Sequence, residues 1–161
     1  MSLSPEAPSA GAPAGPVSPF RAEAERHRAE AADGPLVLVV EDDEGTSAAL
    51  EELLARSGYR VAATCLGEEA VTMAAELRPD AVLLDLVLPR RSGLDTARVL
   101  RERGGAVPLV AMTGLWLGDQ PELLASAGFD GALRKPFTAA ALLAELERVL
   151  GRGPGEGRGA A

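Results

Sequence analysis

The chain is poor in lysine, cysteine and aromatic side chains, and each shortage excludes something. Of its sixteen basic residues fifteen are arginine, and the one lysine is Lys135. With a net charge of −8 and no lysine-rich run, it is a poor match for nucleic acid or an anionic membrane surface. Three phenylalanines, one tryptophan and one tyrosine provide no aromatic platform for single-stranded nucleic acid. The single cysteine, Cys65, excludes an intramolecular disulfide framework and a multi-cysteine zinc site. It is expected to be a small buried hydrophobe. The only histidine, His27, stands among charged residues with no partner for base or metal chemistry. No apolar run approaches the roughly 18 residues of a membrane span. Met1 to Phe20 has neither the basic n-region nor the apolar h-region of a signal peptide. The expected location is therefore cytoplasmic, with no membrane and no nucleic acid among the partners.

What is present is one domain's worth of apolar residues between two tails. Residues 1–34 are rich in Pro and Ala, with five prolines before residue 20. They cannot bury enough apolar surface to offset ordering entropy and read as a disordered tail. Residues 21–32 favour a frayed or transient helix by propensity but carry no apolar stripe. Residues 151–161 (GRGPGEGRGAA) read as a second flexible tail.

Residues 35–150 alternate strand and helix patterns. Leu36–Val40 (LVLVV) is a continuous apolar run of strand length, as for a strand buried on both faces. Tyr59–Ala63, Ala81–Leu84, Leu109–Met112 and Asp130–Arg134 read as four further strands. Leu50, Leu53 and Leu54 form a helical stripe ending at Gly58. Gly67–Arg78 and Gly93–Arg103 read as helices stopped by Pro79 and by Gly104-Gly105. Asp119–Ala127 reads as a short helix with Asp119 as cap and Pro121 in its first turn. The last helix is expected over 138–150, with Leu142, Leu146, Val149 and Leu150 inward. Five such units imply an α/β fold, a parallel sheet with helices on both faces.

Polar residues punctuate the ends of these runs. Glu41 and Asp42 follow the first strand, Asp85 ends the third, Thr113 the fourth and Lys135 the fifth. Open parallel sheets bind ligands beyond the carboxyl ends of their strands, so one rim gathers all five. Three carboxylates are hard oxygen ligands suited to Mg2+. A carboxylate beside a metal-neutralised phosphoryl group can act as a nucleophile and form an acyl phosphate. Lys135 brings a compact ammonium rather than a planar guanidinium, and Thr113 a hydroxyl donor. Taken singly, each has a plainer reading: Asp42 or Asp43 as a helix cap, Thr113 as a turn residue, Asp85 as a satisfied buried acid.

The segments LVLVVEDDE (36–44), AVLLDLVLPRRSGLD (81–95), PLVAMTG (108–114) and GFDGALRKPF (128–137) together resemble the receiver domain of two-component response regulators. The resemblance implies a flavodoxin-like, doubly wound five-stranded sheet in the order 2-1-3-4-5. It implies Asp85 as phospho-acceptor, with Mg2+ bound by Asp42, Asp85 and the backbone carbonyl of Val87, and by Glu41 through water. Lys135 is then expected to pair with Asp85 and later with the phosphoryl group, and Thr113 to swing toward that group. Pro136 matches a cis-proline position, Asp43 falls outside the metal's immediate ligands, and Pro89 and Gly93 shape the loop after the acceptor. The implied partners are a sensor histidine kinase or phosphotransfer protein upstream. Downstream, a protein target would bind the face of the fourth helix, fifth strand and fifth helix, which includes Ala132 and Arg134. With no output domain evident after Leu150, a stand-alone receiver is expected.

Three positions depart from the family's pattern. Ala132 stands where the family often has Tyr or Phe three residues before the lysine, so the usual aromatic partner of the threonine is missing. Trp116 is a candidate substitute. Val87 and Leu115, two residues beyond the acceptor and the threonine, are apolar and cannot orient an attacking water, which implies slow self-dephosphorylation. Two other readings compete. One is a receiver-like scaffold without regulated phosphorylation. The other is an aspartyl-nucleophile phosphatase of the haloacid dehalogenase type, which wants a second Asp where Val87 stands.

Overall fold

The computed structural model describes residues 34–114 and 121–151. The expectations for residues 1–33 and 152–161, and for Leu115, Trp116 and Asp119, lie outside the described residues. Five strands, β1 (Leu36–Val40), β2 (Arg60–Thr64), β3 (Ala81–Asp85), β4 (Leu109–Thr113) and β5 (Gly131–Arg134), alternate with α1 (Glu44–Arg56), α2 (Gly67–Leu77), α3 (Gly93–Glu102), α4 (Pro121–Ala127) and α5 (Ala139–Val149). All strand pairs are parallel, in the order β2-β1-β3-β4-β5. This is the flavodoxin-like arrangement expected from the sequence.

The apolar runs become strands because both their faces are covered. Every residue of β1, β3 and β4 is buried, and the period-two alternation of side chains divides each run between two cores. Leu36, Leu38 and Val40 pack with α2, α3 and α4 through Val71, Leu77, Leu100 and Leu124. Val37 and Val39 face the other side, against Leu50 and Leu54 of α1 and Leu142 and Leu146 of α5. Caps set the helix starts. Asp43 accepts from the Thr46 amide, Ser92 from Asp95 and Thr138 from Ala141. At the opposite end of the sheet the Arg101 guanidinium ties two loops together. It donates to the carbonyls of Gly105 (2.8 Å), Val107 (2.7 Å) and Gly128 (2.7 Å), and to Asp130 Oδ2 (2.9 Å).

The second strand begins one residue later than the sequence pattern suggests. The Tyr59 amide donates back to the Leu54 carbonyl and closes α1, while pairing starts at Leu36↔Arg60. The strand therefore runs through Thr64, and Cys65 falls into the turn that follows. Cys65 is exposed, which corrects the expectation of a buried cysteine. The third and fourth strands likewise extend by one residue, so Asp85 and Thr113 belong to the ladder itself.

Leu142 is fully buried where α5 meets the sheet. Leu142→Ala is expected to lower the unfolding free energy by about 2–5 kcal/mol. At exposed Ala144, Ala144→Ser should change it by less than about 0.5 kcal/mol. Urea unfolding of the two variants checks the difference.

Candidate functional site

The carboxyl ends of β1, β3, β4 and β5 form one rim, and the structure brings the expected residues together there. Glu41 directly follows β1 and is only 2% exposed. Its Oε1 accepts the Asp43 amide at 3.2 Å and its Oε2 accepts Lys135 Nζ at 2.6 Å. Asp85, the last residue of β3, is also buried. Its Oδ1 accepts the Val87 amide at 2.9 Å and its Oδ2 accepts the same ammonium at 2.8 Å. Lys135 follows β5, where its own amide donates to the Thr113 carbonyl at 2.8 Å. The Lys135–Pro136 peptide is cis, as the resemblance implied. Thr113 is buried at the end of β4.

Carboxylate oxygens of Glu41, Asp42 and Asp85 lie within 4.8 Å of one another. Asp42 is the exposed member of the three. Three carboxylates against one ammonium leave the group near −2 when all are ionised, and hard oxygen donors at this spacing fit a small divalent cation. Asp43 is set apart from them. Its Oδ2 accepts the Thr46 amide and hydroxyl at 2.8 and 2.6 Å, and those bonds hold its carboxyl below the usual range. The cap reading thus belongs to Asp43, not to Asp42.

Burial raises the Glu41 carboxyl above its ordinary value, against the lowering effect of Lys135 and of the Asp43 amide. For Lys135, burial pulls the ammonium down, but the bonds to Asp85 and Glu41 outweigh it and the group lies above its ordinary value.

Three features of the wall come from small or apolar residues. A Cβ on Gly93 would collide with the Asp85 carbonyl and come within 2.7 Å of Leu86 Cα. Glycine there lets α3 start directly behind the acceptor strand, with the Gly93 amide donating to the Leu86 carbonyl at 3.0 Å. Val87 is 55% exposed. Ala132 is exposed on β5, in register with Ala111.

Sequence reasoning missed two things. One is the Glu41–Lys135 bond. The lysine had been assigned to Asp85 and Glu41 to a water-mediated metal contact, and no local pattern marks a pair 94 residues apart. The other is a groove of about 690 Å³ beside the site, lined by Gly45, Ala49, Leu53, Pro136 and Phe137, with Lys135 at its edge. It forms between α1 and the segment after β5, and neither element shows it alone.

Comparison with known proteins agrees with this geometry. A model of the response regulator receiver domain matches residues 37–147. Response regulator MprA of Mycobacterium sp. (strain KMS) is 38% identical over 122 residues, which cover 75% of this chain and 53% of the relative. The chain thus spans about half the length of the curated relatives it matches. Among solved structures, the receiver domain of sensor histidine kinase PA1611 from Pseudomonas aeruginosa PAO1 is 34% identical, with a TM-score of 0.66. That match covers 74% of this chain and 99% of the other, whose active-site cleft coordinates a magnesium ion. Chemotaxis protein CheY4 of Vibrio cholerae is 26% identical with a TM-score of 0.69, covering 73% of this chain and 99% of that one. Among the described residues no helix is long and apolar enough to cross a membrane.

The raised Glu41 value sets a pH dependence. In the interval above the ordinary 4.5 the folded state holds a proton that the unfolded state has released. The associated stability is complete below 4.5 and is lost as pH rises through the raised value. In metal-free buffer, urea midpoints from pH 4 to 7 should fall for wild type relative to Glu41→Gln; parallel curves would contradict this.

Proposed function

This chain belongs to the response regulator receiver family, and on that footing we propose that Asp85 is its phospho-acceptor in a two-component phosphorelay. The observation that carries the reading is the shared ammonium. Lys135 bridges Glu41 and Asp85 at 2.6 and 2.8 Å, beside a third carboxylate, at the rim where such sheets bind ligands. An Asp85 carboxylate oxygen attacks phosphorus, the bond from phosphorus to the donor breaks, and an acyl phosphate forms. Asp42, Asp85 and the Val87 carbonyl would hold Mg2+, with Glu41 reaching it through water. Bound there, the ion supplies positive charge against the phosphoryl oxygens. Lys135 then exchanges one carboxylate partner for a phosphoryl oxygen, and the Thr113 hydroxyl donates to another. This is switch chemistry on the protein's own side chain, not turnover of a substrate.

The proposed donor is a sensor histidine kinase or a phosphotransfer protein in the cytoplasm. It must bring a phosphohistidine to Asp85, and the apolar groove between α1 and Phe137 offers a contact surface beside that point. The proposed downstream face is α4, β5 and α5. Ala132 favours a second reading, a scaffold that binds without regulated phosphorylation. With a methyl group at that position, rotamer exchange of an aromatic cannot signal the movement of Thr113. Val87 offers no acid/base group two residues past the acceptor, which argues against a phosphatase.

Acetyl phosphate with Mg2+, read by intact mass, should add one phosphoryl group to wild type and none to Asp85→Asn. No gain in the folded wild type from either acetyl phosphate or a phosphorylated histidine donor would leave the scaffold reading. The phosphorylated form should decay on the order of minutes to hours, because the Val87 side chain cannot orient water. Decay within seconds would contradict that part.

A further inference from the structure

The loop that joins β3 to α3 carries two adjacent arginines, Arg90 and Arg91. The loop is short and closed, with the Gly93 amide donating to the Leu86 carbonyl at 3.0 Å. Within it the Arg91 amide donates to the Pro89 carbonyl at 2.8 Å, which makes a tight turn centred on Arg90. Arg90 has a φ of 68°, a left-handed conformation that a residue with a side chain adopts only at a cost. Arg90 is exposed and Arg91 half-buried. Among the described residues neither guanidinium has a hydrogen bond or ion pair. Arg56, Arg98, Arg101 and Arg148, by contrast, are each held by a carboxylate.

Their position also works against the helix they precede. Ser92 is the N-cap of α3, so both cations stand just before the positive end of the helix dipole. The acid in that first turn, Asp95, pairs with Arg98 instead. Arg78 and Arg103, which are unpaired as well, close the C-termini of α2 and α3, where the dipole favours a cation. Neither backbone conformation nor dipole favours arginine at 90 and 91, which points to a use outside folding. What lies in range is the anionic rim. A Cβ on Gly93 would collide with the Asp85 carbonyl, so α3 starts against the acceptor residue. Counting back from Gly93 at ~3.8 Å per residue, the Cα atoms of Arg91 and Arg90 lie within roughly 8 and 11 Å of it. That is about one Debye length, ~10 Å at 0.1 M ionic strength. The rim sets three carboxylates against Lys135 on a chain of net charge −8. It repels an approaching anion, and two free cations on the adjoining loop offset that repulsion.

We propose that Arg90 and Arg91 attract the phosphoryl donor, an inference that rests on the reading of Asp85 as acceptor. By charge alone they raise the rate at which an anionic phosphodonor reaches Asp85, and they favour the donor with the greater negative charge. They make no bond in the transfer itself, which remains between the Asp85 carboxylate and phosphorus.

The second-order rate constant for phosphorylation by acetyl phosphate, read by intact mass on the full chain at saturating Mg2+, tests this. Arg90→Ser/Arg91→Ser should react about three- to eightfold more slowly than wild type at roughly 0.03 M ionic strength, and within about twofold of it at roughly 0.5 M. Arg90→Lys/Arg91→Lys should keep the wild-type rate and salt dependence, because charge rather than guanidinium shape is used. With phosphoramidate, which carries less net negative charge, the serine variant should lose less. A loss of the same size at both salt concentrations and with both donors would mean a structural defect and would overturn the inference. A lysine variant as slow as the serine variant would do the same. Equal rates for wild type and the serine variant at low salt would overturn it while leaving Asp85 as acceptor. No phosphoryl gain in folded wild type from either donor would remove the acceptor reading, and this inference with it.

Discussion

One ammonium stands between two buried carboxylates, and the rest of the site depends on it. Glu41 and Asp85 stand at the ends of adjacent parallel strands whose register, Val40 opposite Leu84, sets their charges side by side. Removing one partner from such a buried group leaves an uncompensated charge at a cost of roughly 3–5 kcal/mol. Lys135 satisfies both acids at once. The remaining carboxylate, on Asp42, keeps the site net negative and open to a divalent ion. Electrostatics thus leave the site poised. With three carboxylates against one ammonium it remains short of positive charge when a phosphoryl group arrives.

The backbone delivers these groups to one place by apolar means. β1 and β3 are central strands because their residues are buried on both faces, and pairing Val40 with Leu84 fixes the positions of Glu41 and Asp85 relative to each other. Gly93 then lets α3 begin against the acceptor strand, where any side chain would collide. At the far end Arg101 fastens the loops before β4 and β5. Asp130, its carboxylate partner, also accepts the Leu109 amide at 2.9 Å. β5 is the short edge strand that carries Lys135, so fixing its start also helps fix the lysine at its end.

Most of this was legible in the sequence. Apolar runs of strand length mark β1, β3 and β4, and a polar residue after each run marks the rim. What escaped had a physical reason. The cysteine was misread because residue type alone favours burial for a lone thiol, whereas Cys65 stands in the exposed turn that follows β2. The Glu41–Lys135 bond joins residues 94 positions apart in the sequence and leaves no local pattern. The groove beside α1 exists only once α1 and the segment after β5 are packed together. Arg101 reads as an ordinary helical arginine, since its acceptors are mostly carbonyls that sequence does not distinguish.

A chain with a single lysine permits a direct look at the central group. Selective 15N labelling of the lysine side chain yields one ammonium resonance by nuclear magnetic resonance, that of Lys135. The account predicts a slowly exchanging signal at neutral pH that moves on Asp85→Asn and again when Mg2+ and beryllofluoride are added. A rapidly exchanging signal at the position of a free lysine, unmoved by either change, would contradict it.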